Sequence, residues 1–174
     1  FDAGAYIDGT ETPLAAEEDA VVHLLNMDPG IYEEEDSGVD DSLDILLIDD
    51  SMNNRLLFSM FLRDTRHRIT EAHNGQEGVE AFQNQRFDVI FMDMEMPLMN
   101  GYQATRIIRA MEADAGMEPT PIVAQTAHVL PDFKYQCMLS GCTEFLGKPF
   151  SKNALLTMIK AFSRLKRERM RAAH

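Results

Sequence analysis

The chain has 174 residues, 45% of them hydrophobic, and a net charge of −13. That length suits one domain with a real core plus an additional segment, and no apolar run approaches a membrane span or opens the chain as a secretory signal. The charge is lopsided: residues 1–44 hold fourteen Asp/Glu and no Lys/Arg, whereas residues 45–174 hold fifteen acids and sixteen bases, and so acidic a leader disfavours nucleic acid and anionic membrane as partners.

The first residue is Phe, which reads as a fragment or a processed chain. Residues 1–42 read as an acidic N-terminal extension or linker, and residues 43–170 as the folded domain. Within the extension, Leu14, Val21, Leu24 and Leu25 share one face of a short helix over 13–27. A disordered tail fits that stretch equally well. Glu33 to Asp41 is acidic, contains Gly38, and reads as linker. Cys137 and Cys142 are too few for a disulfide framework and read as reduced core thiols of a cytosolic protein.

From Leu43 the pattern is regular. Ile45 to Ile48 is a buried strand ending on Asp49-Asp50. Ser51 caps a helix running to about Arg63, with Leu56, Leu57, Met60 and Phe61 expected on its inner face. Arg68 to Ala72 is a second strand. Asn74-Gly75 reads as a turn, and Gln76 to Gln83 as a helix with Val79 and Phe82 inward. Phe87 to Met92 is a near-continuous apolar strand that stops on Asp93, with Glu95 and Pro97 just beyond. Asn100-Gly101 marks a loop before a helix over Tyr102 to Met111. Pro121 to Ala124 is a fourth strand, Pro131 to Leu139 a helix closed by Gly141, and Glu144 to Leu146 a fifth strand ending at Gly147-Lys148-Pro149. A last helix starts at Ser151, with Leu155, Leu156, Ile159, Phe162 and Leu165 inward.

Strands alternating with helices imply a parallel sheet covered on both faces. Right-handed crossovers leave few topologies, and a flavodoxin-like (βα)5 doubly wound sheet in the order 2-1-3-4-5 suits this size. In that fold the carboxyl ends of strands one, three, four and five share an edge. Asp49, Asp50, Asp93, Thr126 and Lys148 then surround one crevice. Clustered carboxylates repel one another and invite a hard cation such as Mg²⁺, which takes one or two carboxylates, waters and a phosphate oxygen. A lysine opposite them can pair with a phosphoryl group, and a threonine hydroxyl can donate to one. Asp93 is the candidate nucleophile of an aspartyl-phosphate.

Taken singly, each residue has a plainer reading. Asp49-Asp50 suits any helix N-terminus, and Lys148 any surface. Five such residues meeting at one sheet edge is what argues for a site. His67, His73 and His128 lack ligand spacing and read as loop or surface residues. Met92, Met94, Met96 and Met99 read as core filling. The basic stretch Arg164 to Arg171 reads as a solvated helix face, with attraction of the acidic leader as the alternative.

Residues 43–164 resemble a two-component response regulator receiver domain. The resemblance rests on Ile48-Asp49-Asp50-Ser51, on Met92-Asp93-Met94-Glu95-Met96-Pro97 with Asn100-Gly101, on Ala124-Gln125-Thr126-Ala127, and on Gly147-Lys148-Pro149-Phe150. The run from Met96 to Thr105 is similar to receivers attached to hybrid sensor kinases. The resemblance implies that Asp93 accepts a phosphoryl group from a phosphohistidine on a histidine kinase or histidine phosphotransfer protein. It implies that Mg²⁺ is bound directly by Asp50, largely through water by Asp49, by Asp93, and by the backbone carbonyl of Glu95. Lys148 would contact the phosphoryl group, Thr126 would swing toward it, and Phe145 would follow as the switch aromatic in place of the family's frequent Tyr. The Lys148-Pro149 bond would be cis. Such a protein is a cytoplasmic phosphoacceptor with slow self-dephosphorylation and not a multiple-turnover enzyme. The resemblance also leaves open a homodimer through the fourth and fifth helices. Two rivals are a binding module that keeps the fold without using the phosphate, and a Mg²⁺-dependent phosphohydrolase, for which Glu95 is a poor second acid and no cap domain is visible.

Overall fold

The computed structural model of the protein describes residues 41–128 and 130–173. The expected helix over 13–27 and most of the expected linker lie outside the described residues. Five parallel strands, β1 (Asp44–Ile48), β2 (Arg68–Ala72), β3 (Val89–Asp93), β4 (Ile122–Thr126) and β5 (Glu144–Gly147), pair in the order β2-β1-β3-β4-β5. The helices are α1 (Met52–Leu62), α2 (Gly75–Asn84), α3 (Gly101–Asp114), α4 (Pro131–Ser140) and α5 (Lys152–Ala172). The chain has the flavodoxin-like (βα)5 doubly wound architecture expected of its strand–helix alternation.

Alternate residues of the central strands feed two cores, because successive side chains point to opposite faces of the sheet. Leu46, Ile48, Ile90, Met92, Ile122 and Ala124 pack with Val79, Phe82, Ile108 and Cys137 of α2, α3 and α4. Ile45, Leu47, Val89, Phe91 and Val123 pack with Phe58, Leu155 and Ile159 of α1 and α5. Both faces are covered, so β1, β3 and β4 read as unbroken apolar runs.

The inner face expected for α1 is wrong. Leu56, Leu57 and Met60 are exposed, together with Met52, while Arg55, Phe58 and Leu62 are buried. Phe61 is half-buried. Seven of the eleven α1 residues are large and apolar, so periodicity alone leaves the helix free to rotate about its axis. Phe58 fixes the phase: its ring meets Phe91 of β3 edge to face at 4.9 Å.

Both Asn-Gly pairs begin helices and are not free turns. Asn74 caps α2, and Asn100 caps α3 through a capping box with Gln103. Gly101 is required by packing, since a Cβ there would collide with the carbonyl oxygen of Asp93. The absence of that Cβ lets α3 start directly against the end of β3. His67 lies in the loop before β2, as expected, and is half-buried there, with its Nδ1 accepting the Leu43 N–H at 3.0 Å. Burial lowers its pKa. The basic stretch on α5 is partly engaged: Lys166 Nζ donates to Asp88 at 2.9 Å and to the Ser42 carbonyl at 2.7 Å.

Candidate functional site

Parallel pairing of β1, β3, β4 and β5 brings their carboxyl ends to one edge. Asp49 follows the last residue of β1, Asp93 ends β3, Thr126 ends β4, and Lys148 follows β5. Asp49 is 1% exposed and Asp93 4%, whereas Asp50 faces solvent. One carboxylate oxygen from each of these three lies within 4.8 Å of the others. Lys148 Nζ bridges the two buried acids, 3.0 Å from Asp49 Oδ2 and 3.2 Å from Asp93 Oδ1. The Lys148-Pro149 bond is cis.

The buried carboxylates are also held by neutral donors. The Ser51 N–H donates to Asp49 Oδ1 at 2.8 Å, and the Asn54 amide donates to Asp49 Oδ2 at 3.1 Å. Arg55 Nη1 donates to the Asp49 carbonyl at 2.8 Å and its Nε to Glu71 at 3.1 Å, which fixes the loop from behind. The Glu95 N–H donates to Asp93 Oδ1 at 3.0 Å. Burial nonetheless dominates at Asp93. It pushes the carboxyl up to about 6, against the lowering pull of the Glu95 N–H and Lys148, while Asp49 adds a smaller upward push.

Thr126 is 2% exposed. Its hydroxyl donates to the carbonyl of His128 at 3.2 Å and accepts the His128 N–H at 3.0 Å. His128, an exposed loop residue as the sequence suggests, reaches across the crevice mouth. Its Nδ1 is 2.7 Å from Glu95 Oε1, and its ring stacks on Phe133. Phe145 is half-buried, with Lys134 Nζ 5.9 Å from its ring centroid. Asn54 and His128 escape sequence reading because each is held by a loop contact that no local spacing announces.

Three carboxylates face a single ammonium, so the crevice keeps an excess of negative charge in a largely buried place. Oxygen donors of that sign suit a hard divalent cation. The residues present therefore fit Mg²⁺.

A family model described as the response regulator receiver domain matches residues 45–160. The sensor protein GacS of Pseudomonas syringae is 37% identical over 115 residues, and hybrid signal transduction histidine kinase B of Dictyostelium discoideum is 38% identical over 125. These stretches cover 66% and 67% of this chain but only 13% and 6% of those proteins, so the chain spans a small part of the curated relatives it matches. Among solved structures, the receiver domain of Ssk1 from Saccharomyces cerevisiae, crystallised with the histidine phosphotransfer protein Ypd1, aligns with a TM-score of 0.69 at 30% identity, covering 72% of this chain and 91% of that one. The receiver domain of the sensor histidine kinase PA1611 from Pseudomonas aeruginosa, with a magnesium ion coordinated in its active-site cleft, aligns at 0.63 and 33% identity over 70% of this chain and 98% of that one. With the five-stranded order, the acid cluster opposite Lys148 and a family match across most of the folded residues all in agreement, the chain belongs to the response regulator receiver domain family of two-component phosphorelay signalling.

Proposed function

We propose that the chain is a phosphoacceptor whose reactive group is Asp93. The observation that carries this is the placement of the Asp93 carboxylate, buried at the end of β3 yet 3.2 Å from Lys148 and within the three-acid cluster. Asp93 Oδ1 is committed to the Glu95 N–H and to Lys148. Attack is assigned to Oδ2. That oxygen forms a bond to the phosphorus of a phosphohistidine, the P–N bond breaks, and the imidazole leaves with the electron pair and takes up a proton. Lys148 then pairs with a phosphoryl oxygen as a point charge.

Asp50, Asp93, Asp49 largely through water, and the backbone carbonyl of Glu95 are the residues that would hold Mg²⁺, which neutralises charge on the phosphoryl oxygens when bound. Thr126 releases the His128 carbonyl and donates to a phosphoryl oxygen, and Phe145 follows inward. This biases a pre-existing equilibrium at α4, β5 and α5 and so changes partner affinity. The protein turns over no external substrate. It hydrolyses its own acyl phosphate slowly.

The donor is a protein carrying a phosphohistidine, and α1 is its docking face. Met52, Leu56 and Met60 recur every four residues, and with Leu57 they form an exposed apolar row starting beside the crevice. A row continuous with the site places a bound partner's histidine within reach of Asp93. The Ssk1 receiver's complex with a phosphotransfer protein supports the same class of partner. Among the described residues no helix is long and apolar enough to cross a membrane.

The test is intact-protein mass spectrometry after acetyl phosphate and Mg²⁺. One phosphoryl adduct is expected on Asp93 and none on Asp93→Asn. An adduct that survives the substitution overturns the assignment.

A further inference from the structure

Little holds α4 to the domain. Only Cys137 and Ser140 of this helix are buried, and no side chain caps its N-terminus. Tyr135, Met138 and Leu139 face solvent. Its other end is closely specified. Gly141 takes the left-handed conformation, φ 107°, and its N–H donates to the Met138 carbonyl at 2.9 Å. The Cys142 N–H donates to the Cys137 carbonyl at 3.1 Å.

That pattern is a Schellman cap, whose first and last residues bring their side chains together. Here those residues are Cys137 and Cys142. Both thiols are free and buried. Cys137 Sγ also lies 3.9 Å from the Tyr102 hydroxyl. Cys142 Sγ lies 3.9 Å from Thr105 Oγ1 and 3.7 Å from Ser140 Oγ. Tyr102 and Thr105 belong to α3, so the thiol pair joins α3, α4 and the start of β5. The backbone bond from Cys142 to Cys137 holds the two residues close, which meets the first requirement of a disulfide, that the Cα atoms stay within about 7 Å.

We propose that Cys137 and Cys142 form an oxidisable dithiol that closes a disulfide across the α4 cap when a small hydroperoxide reaches it. Cys142 reacts first, being 8% exposed against 0% for Cys137. Its thiolate attacks one peroxide oxygen, the O–O bond breaks, and with hydrogen peroxide one water leaves, giving a sulfenic acid. The Cys137 thiolate attacks that sulfur, the S–O bond breaks, and a second water leaves. Two thiols and one peroxide thus become one disulfide and two waters. Burial raises both thiols, so reaction waits on opening of α4. The few buried contacts of that helix make such opening easy. The product pins α4, the element through which phosphorylation is proposed above to act, but the chemistry itself is read without any phosphorylation.

The experiment treats the reduced 174-residue chain with hydrogen peroxide until Met52, 70% exposed, is fully converted to its sulfoxide. Thiols are then alkylated and peptides mapped by mass spectrometry. The expected result is one intramolecular Cys137–Cys142 link, reversed by dithiothreitol, with α4 amides exchanging roughly ten-fold more slowly than in the reduced chain. In Cys142→Ser, Cys137 should stay alkylatable, and in Cys137→Ser, Cys142 should proceed to sulfinic acid. Both thiols alkylatable after Met52 has reacted, a link between two chains, or unchanged α4 exchange in the linked protein would each overturn the proposal.

Discussion

Asp93→Asn should stabilise the protein at neutral pH, by an amount the structure sets. Asn keeps the shape of the side chain and an oxygen for the Glu95 N–H, and removes only the charge. The folded carboxyl sits at about 6 against 3.8 for a free one, a difference of about 2 units, or about 3 kcal/mol. The attraction of Lys148 is already included in that net shift. Because the folded pKa is raised, the folded chain binds the proton more tightly than the unfolded one. Stability is therefore intact below pH 3.8 and is lost as pH rises through 6. Asp93→Asn does not titrate at this site and escapes the loss. Urea denaturation in the presence of a chelator, from pH 4 to pH 8, measures both proteins. The difference should be near zero at the acid end and grow to about 3 kcal/mol in favour of Asp93→Asn, a midpoint shift on the order of 2 M urea. A difference that does not vary with pH, or a less stable Asp93→Asn at pH 8, would refute the reading of Asp93 as a desolvated carboxylate.

Three further outcomes follow from the same coordinates. Mg²⁺ at a hundred times its dissociation constant should stabilise the wild-type chain by about 2.7 kcal/mol in the same denaturation assay, and Asp50→Asn, which alters an exposed group, should remove most of that gain. Leu56→Glu combined with Met60→Glu should leave folding stability within about 0.5 kcal/mol, since both side chains are exposed. The pair should slow phosphotransfer from a phosphohistidine protein at least ten-fold while leaving labelling by acetyl phosphate unchanged, as read on Phos-tag gels. Phe58→Ala should cost about 3–5 kcal/mol by thermal or chemical denaturation, because its fully buried ring packs on Phe91. Leu56→Ala, two residues earlier, should cost almost nothing, and equal losses would mean that α1 is rotated.

The sequence by itself determined the strands, their alternation with helices and the five crevice residues. Apolar runs in β1, β3 and β4 stop on polar residues, and that break can be read without coordinates. Parallel pairing then leaves those residues only one edge on which to meet. The phase of α1 was beyond the sequence, because an apolar row facing a partner and one facing the core look alike until Phe58 is seen against the sheet. The same holds for His128 on Glu95, Asn54 on Asp49, and the backbone bond that joins Cys142 to Cys137 across a helix cap. Each joins residues through loop or cap geometry, and such geometry exists only once the surrounding elements have packed.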